Sequence, residues 1–221
     1  MLLELTVISF AWNFDPDFRF FRLQVIWVLG LGMLIMSLLI YLPPKLILAT
    51  GLIILFGHNL LDNIHATGNS WRDILWGELH ERKRFTIGGH IISTGYPIIP
   101  WLGIMMLGYC FGGLYKKGMD AALRKKWLLI LESAAIVLFL LLRGINIYGD
   151  MKPWELQHSH VLTVCSFLNV TKYPPSLLYT LMTLGPALIL LRLLEKPLNR
   201  MGTMLARIGR VPLFFYILHL F

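Results

Sequence analysis

The fold class is decided by residues 127–147, which read WLLILESAAIVLFLLLRGINI. About 20 helical residues, each rising about 1.5 Å, cross a hydrocarbon core of about 30 Å, so this stretch is long enough to span a bilayer. Across the 221 residues, 57% are apolar and only 14% are charged, and the mean hydropathy is +0.67. A soluble domain carries about 25% charged residues. The sequence therefore predicts an all-α integral membrane protein, a multi-span helical bundle, and argues against a soluble all-α protein.

Six further apolar segments lie on either side of this stretch. Together they predict five full spans and two truncated ones in a single transmembrane domain over residues 1–221. The truncated segments cover only about half of the hydrocarbon thickness, so we expect the chain to be incomplete at both ends; short interfacial helices there are the alternative. The seven segments are 2–11, 20–42, 45–61, 97–115, 127–147, 174–194 and 211–221.

The charges between the segments predict the orientation. The net charge is +8, but no basic tail or basic stripe of a nucleic-acid-binding protein is present. Loops 43–45, 116–126 and 192–210 hold eleven Lys and Arg residues against two acidic ones. Because basic residues accumulate in cytoplasmic loops, loops 116–126 and 192–210 are predicted to be cytoplasmic. The two cysteines, Cys110 and Cys165, give neither a disulfide framework nor a zinc spacing.

The densest group of polar residues is GHNLLDNIH, residues 57–65, at the predicted outer end of the third segment. The spacing of four and then three places His58, Asp62 and His65 on one helical face. Such a face can hold a base with its orienting carboxylate, or two metal ligands. A polar helix end in interfacial water is the alternative. We expect no metal here.

Three further pairs of polar residues are candidate binding groups. Arg143 and Asn146 share one face near the outer end of the fifth segment, where a buried carboxylate such as Glu4 would neutralise the arginine. Structural ion pairing is the alternative to a binding role. The pairs Lys172–Tyr173 and Arg207/Arg210 each precede a proline-started helix, where free N–H groups favour phosphate or carboxylate. For the two arginines, orientation by positive charge is the alternative.

Long strings of the sequence resemble the bacterial DUF1624 family, which is similar to the catalytic domain of heparan-α-glucosaminide N-acetyltransferase among the transmembrane acyltransferases. The likeness runs over nearly the whole chain. Members of that family begin with a basic first helix whose outer end carries Asp-His, and no such segment is present here, so we expect this chain alone to be inactive. The strings are LELTVISFAWNF (3–14), FRLQVIWVLGLGM (21–33), GHNLLDNI (57–64), YPIIPWLGIMMLGYCFGGLY (96–115), FLNVTKYPPSLLYTLMTLGP (167–186) and IGRVPLFFYILHL (208–220).

The resemblance implies a membrane-bound acyltransferase that moves an acetyl group from cytoplasmic acetyl-CoA to a sugar amine or similar acceptor on the outer face. It implies a lipid bilayer, a small-molecule acyl acceptor and a second copy of the chain as candidate partners, in a bacterial inner membrane. A polar-solute transporter and a non-catalytic membrane scaffold are the alternatives. The expected roles are catalysis for His58, Asn59 and Asp62, acetyl-CoA binding for Arg207 and Arg210, and acceptor binding for Lys172, Tyr173, Arg143 and Asn146.

Overall fold

A computed structural model describes residues 1–195 and 199–219 of the chain. In this part, apolar α-helices alternate with short polar connections, and three short strands form one small sheet. A π-helical turn, Glu4–Ile8, leads into the first α-helix. In chain order the elements are α1 (Ser9–Asn13), β1 (Phe20–Leu23), α2 (Val25–Leu39), α3 (Pro44–Gly57), α4 (Trp71–Leu79), β2 (Arg84–Ile87), β3 (His90–Thr94), α5 (Ile98–Phe111), α6 (Ala121–Ile145), α7 (His160–Leu168), α8 (Leu177–Leu193), α9 (Arg200–Ile208) and α10 (Pro212–Leu218).

Within residues 1–195 and 199–219, three helices are long and apolar enough to cross a membrane. They are α3 with the 3₁₀ turn that follows it (Pro44–Leu61), α5 with its 3₁₀ turn (Ile98–Tyr115), and α6 (Ala121–Ile145). Helices α9 and α10 would count as a fourth span only together, and they are bent by 68° against each other. These helices make the chain an integral membrane protein of helical class, but the prediction of five full spans is not confirmed.

The segments predicted at 20–42 and 174–194 contain shorter helices than expected. Residues 20–23 form β1, and α2 begins only at Val25 and ends at Leu39. Helix α8 begins three residues after Pro174. With 15 and 17 residues, these helices are about 22 and 25 Å long at 1.5 Å per residue. The last predicted segment, 211–221, holds the short helix α10, and residues 220–221 lie outside the described part.

The small sheet joins two distant parts of the sequence. Its strand order is β1-β3-β2. Strands β2 and β3 form a hairpin in which Gly88 and Gly89 take positive φ angles, as a tight hairpin turn requires. Strand β1 adds in parallel to β3, with Phe20 opposite Ile91. Residues 20–23 and 84–94 therefore lie at the same end of the bundle, which we call the sheet end.

The opposite end carries the basic loops, and we call it the basic end. There the start of α3 meets the end of α5, because the Cys110 thiol donates to the carbonyl of Pro44. Helix α6 packs along α8, and Arg192 donates to both oxygens of Glu132 at 2.9 and 3.0 Å. Arg124 forms a second ion pair with Glu195. Loop 116–126 and the start of loop 192–210 therefore lie together, as the charge count predicts.

Close helix packing depends on glycines at the contacts. A Cβ on Gly103 of α5 would lie 2.6 Å from Ile54 of α3, and a Cβ on Gly185 of α8 would lie 2.8 Å from Ile136 of α6. Small residues at such contacts let helices in a membrane approach each other closely.

Glu4 and Arg143 are both buried, but they do not pair with each other. The Glu4 carboxylate accepts a hydrogen bond from the backbone N–H of Trp27 at 3.1 Å, in the first turn of α2. A carboxylate is stabilised there by the free N–H groups and the helix dipole. The prediction from the sequence that Glu4 pairs with Arg143 is therefore wrong.

Arg143 holds the C-terminal end of α7 in place. Its guanidinium donates to the carbonyl oxygens of Ser166, Phe167 and Asn169 and to that of Lys152, at 2.8 to 3.1 Å. The last carbonyls of a helix have no partner within the helix, and a cation there complements the helix dipole. Arg143 is 1% exposed. The guanidinium of Arg143 therefore binds backbone carbonyls of the chain itself.

We predict that Arg143→Met lowers the free energy of unfolding by at least about 3 kcal/mol, because it leaves several buried carbonyls without donors. The measurement is thermal unfolding of the purified protein in detergent, with hydrogen exchange across residues 152–169. Exposed Arg200 provides the matched control, and Arg200→Met is expected to unfold as the wild type does. Equal unfolding of the two variants would contradict the capping role.

Candidate active site

The predicted polar cluster forms where α3 ends. After Gly57 the helix tightens into a 3₁₀ turn, His58–Leu61, which turns the chain toward Asp62. His58 is 2% exposed and Asn59 is 7% exposed. Both side chains therefore point into the protein, and the alternative of a helix end in interfacial water does not describe them.

A continuous line of hydrogen bonds fixes the orientation of Asp62. The backbone N–H of Leu177, at the start of α8, donates to Asn59 Oδ1 at 3.0 Å. Asn59 Nδ2 donates to Asp62 Oδ2 at 2.8 Å. The other carboxylate oxygen of Asp62 lies 3.1 Å from His80 Nε2. Because Asn59 accepts with one atom and donates with the other, its amide has a single possible orientation.

His80 is the member of the site that the sequence did not reveal. It directly follows α4, whose start is fixed by a capping box between Ser70 and Asp73. Near its end, α4 packs so tightly on the hairpin that a Cβ on Gly77 would lie 2.5 Å from Phe85. His80 is thereby held at 2% exposure. The capping signal S-x-x-D is visible in the sequence and predicts a helix that begins near Ser70, but not the contact of His80 with Asp62.

His65 lies outside the cluster, contrary to the prediction. The helical spacing of 58, 62 and 65 assumed a helix that continues, but helical structure ends at Leu61. His65 is exposed and lies 3.2 Å from Glu81. His80 therefore takes the place that the sequence assigned to His65.

The two buried imidazoles offer unused nitrogen atoms. Their ring centroids are 5.7 Å apart in an edge-to-face arrangement. Among the residues that the structure describes, no hydrogen-bond partner reaches either ring nitrogen of His58 or the Nδ1 atom of His80. One ligand-type atom each from His58, Asp62 and His80 can be chosen so that all three lie within 4.8 Å of one another. Such a group can act on a substrate's proton or hold a cation.

The predicted acceptor-binding residues fall into two places. Asn146 exchanges hydrogen bonds with the backbone of Trp154, both at 3.0 Å, so it and Arg143 hold the loop after α6. Tyr173 lies between α7 and α8, where its hydroxyl is 3.0 Å from that of Tyr96. Neither pair belongs to the His58 cluster.

Lys172 and Tyr173 line a basic cavity at the sheet end. The guanidinium of Arg82 and the ammonium of Lys172 lie 5.0 and 5.1 Å from the centre of the Tyr173 ring. Burial opposes ionisation of Tyr173, but its hydrogen bonds with Tyr96 and Lys172 and the charge of Arg82 outweigh this and lower the pKa of the phenol. The cavity measures about 230 Å³ and is lined by Arg82, Lys152, Asn169, Val170, Thr171, Lys172 and Tyr173.

Arg207 and Arg210 lie far along the chain from this cluster. Arg207 is in the last turn of α9, and Arg210 lies in the bend before α10. Both are exposed. Loop 192–210, predicted as a connection, thus contains a helix over Arg200–Ile208.

Glu78 is a further unusual carboxyl group, in α4 and two residues before His80. It accepts a hydrogen bond from the indole N–H of Trp27 in α2. Burial raises the pKa of Glu78 to about 7, although the hydrogen bond from Trp27 works against this. The contact joins α4 to an apolar helix.

Comparison with known families gives one match. A family model described as heparan-alpha-glucosaminide N-acetyltransferase, catalytic, matches residues 3–148, which is more than half of the chain. The matched range includes His58, Asn59, Asp62 and His80 and ends before Lys172. No curated protein and no solved structure matches the chain.

We predict that Glu78 makes the stability of the protein depend on pH. Below about pH 4.5 the carboxyl group is protonated in both the folded and unfolded states; between pH 4.5 and about 7 only the folded state keeps the proton, so stability falls as pH rises. Glu78→Gln keeps an acceptor for Trp27 and should raise the free energy of unfolding at pH 8 by about 2 kcal/mol, with no gain at pH 4.5. Thermal unfolding at the two pH values measures this. An equal gain in stability at both pH values would contradict the role of Glu78. The same gain in the Glu155→Gln variant, at an exposed position, would also contradict it.

Proposed function

Because the chain belongs to the heparan-α-glucosaminide N-acetyltransferase catalytic family, we propose that it is a membrane-bound acyltransferase. It moves an acetyl group from acetyl-CoA to a sugar amine or similar acceptor. The observation that carries this proposal is the buried cluster of His58, Asp62 and His80 inside the matched range. Buried ionisable groups at the end of a membrane helix are costly and mark functional sites.

The chemistry of acetyl transfer needs what such a cluster offers. The acceptor nitrogen attacks the thioester carbonyl, its bond to carbon forms as the bond to sulfur breaks, and the amine loses a proton while the thiolate leaves. The amine must be brought to its neutral form, and the developing oxyanion needs stabilisation. The lone pairs of His58 and His80, with the Asp62 charge behind them, act on the acceptor directly or through a bound cation.

The proposed topology follows from the two ends of the bundle. Loops 116–126 and 192–210, at the basic end, face the cytoplasm of a bacterial inner membrane, as their positive charge favours. The cluster lies at the other end of α3, where Tyr148 after α6 donates to the carbonyl of Phe56. The acceptor is therefore handled on the outer side, and acetyl-CoA approaches from the inner side.

We assign acceptor binding to the basic cavity beside the cluster. Lys172 and Tyr173 line it together with Arg82 and Lys152, and Arg82 follows His80 by two residues. Three cations and a phenol offer hydrogen-bond donors to the oxygen atoms of a sugar-like acceptor. Arg143 and Asn146 support this cavity indirectly, since they hold the backbone at Lys152 and Trp154.

Arg207 and Arg210 are proposed to hold the phosphates of acetyl-CoA at the basic end. Both are exposed, and within the described residues no side-chain hydrogen bond or ion pair engages either one. A guanidinium can grip phosphate with two parallel hydrogen bonds. The two arginines lie three residues apart at the 68° bend between α9 and α10.

For the cluster, we expect His58→Ala and Asp62→Asn each to lower kcat/KM for acetyl transfer by at least about 100-fold. The measurement is transfer from radiolabelled acetyl-CoA to glucosamine by the full-length protein in proteoliposomes. His65→Ala is the matched control, because His65 is exposed and pairs with Glu81. Full activity in both cluster variants would contradict their role, and absence of transfer by the full-length wild type would contradict the acyltransferase.

For the cofactor, the double variant Arg207→Lys, Arg210→Lys tests phosphate binding apart from orientation. Lysine keeps the positive charge that orients the loop but loses the bidentate geometry. We expect acetyl-CoA affinity to fall about tenfold to a hundredfold, measured by calorimetry on the protein in detergent. Arg200→Lys, in the first turn of the same helix, should bind as the wild type does. Unchanged affinity in the double variant would leave the two arginines as orientation signals.

A further inference from the structure

We infer that His58, Asp62 and His80 bind a divalent transition-metal ion, for which Zn²⁺ is the best match. Two imidazoles and one carboxylate form a ligand set of the kind found in catalytic zinc sites, where three protein ligands leave a fourth position open. Binding of the ion follows from the geometry of these residues. Only its role in activating the acceptor rests on the proposed acetyl transfer.

The distances fit such an ion after small side-chain movements. With bonds of about 2.0–2.1 Å, the ligand atoms of a tetrahedral zinc lie about 3.3 Å apart. His80 Nε2 and Asp62 Oδ1 are 3.1 Å apart, and the three ligand atoms lie within 4.8 Å of one another. A metal would take the place of the proton between His80 and Asp62, with the ring proton moving to Nδ1. His58 would complete the set by a rotation of its ring.

The electrostatic environment also favours a cation. The side chains of His80 and Asp62 are 2% and 11% exposed, and within the described residues His80 is the one ion-pair partner of Asp62. A carboxylate shielded from water costs free energy unless a positive charge or hydrogen bonds compensate it. A divalent ion would supply that charge and use a nitrogen of His58 that otherwise has no partner.

The remaining contacts of the cluster resemble the support that metal ligands receive. Asn59 donates to the carboxylate oxygen that faces away from His80, and Leu177 N–H holds Asn59. Partners of this kind orient metal ligands and raise metal affinity. Since the ligands come from the end of α3 and the end of α4, a bound ion would also join these two elements.

Size separates an ion from an organic ligand in this cluster. Both imidazoles are 2% exposed, so a sugar cannot surround them without displacing α4. An ion needs only the space between the three ligand atoms, and its open coordination position can face an acceptor held beside it. Because one position is open, the ion would hold one ligand at a time there, either a hydroxyl group of the acceptor, whose pKa it would lower, or the acyl oxygen, which it would polarise.

The experiment measures zinc bound to the detergent-purified protein by mass spectrometry, after purification without chelator. Stripped protein is then titrated with Zn²⁺ and, for spectroscopy, with Co²⁺, whose visible absorption reports tetrahedral coordination. We expect about one ion per chain, and an affinity at least tenfold lower in Asp62→Asn and in His80→Ala. His65→Ala removes an exposed histidine outside the cluster, and this variant should bind Zn²⁺ as the wild type does.

Measurements of binding and of unfolding decide the inference. No saturable binding of Zn²⁺ or Co²⁺ by the wild type would overturn it, and so would equal loss of affinity in His65→Ala. Because a ligand variant can misfold, a second measurement compares thermal unfolding with and without Zn²⁺. Stabilisation of the wild type but not of a folded His80→Ala variant supports the site.

Acetyl transfer by fully stripped protein would overturn the metal's catalytic role while leaving the acyltransferase intact. Metal binding by a full-length protein that transfers no acetyl group would overturn the acyltransferase and leave the metal site intact.

Discussion

The structure depends on how the ends of its apolar helices satisfy their backbone groups. The hydrocarbon core of a bilayer holds no water, so free N–H and C=O groups there need partners from the protein. This chain supplies them from distant residues: Glu4 serves the start of α2, Asn59 the start of α8, and Arg143 the end of α7. Each of these three side chains therefore stabilises a helix end and joins two elements at once.

The candidate site grows out of the same constraint. Asn59 serves the start of α8 with its oxygen and uses its amide hydrogen to hold Asp62, so helix packing and the orientation of the carboxylate are coupled. Asp62 in turn fixes His80 at the end of α4. A change in the packing of α8 is thus transmitted to the cluster through two hydrogen bonds. This coupling gives a physical reason why the cluster lies beside a helix junction rather than on a free loop.

Features that depend on local pattern could be predicted from the sequence, and features that depend on tertiary contact could not. The helices α3, α5 and α6 follow from hydrophobic length, and His58 and Asp62 follow from polar residues at a helix end. The strand β1 was missed because FFRL runs on into the apolar helix with no Gly or Pro between them, and its partner lies in a distant loop. His80 was missed because only the folded position of α4 brings it to Asp62. The same gap explains why no metal was expected from the sequence, and why Arg143 was assigned a ligand rather than the carbonyls of α7.

The parallel pairing of β1 with β3 has a consequence for the order of assembly. Phe20 pairs with Ile91, 71 positions later (91 − 20), and the apolar helices α2 and α3 lie between them. At synthesis rates of about 5–20 residues per second, the first strand waits about 4–14 seconds for its partner while those helices are made. The sheet is therefore a late step that closes only after α2 and α3 have returned the chain to the sheet end. A defect in the packing of either helix would separate β1 from β3 and leave β1 as an exposed strand.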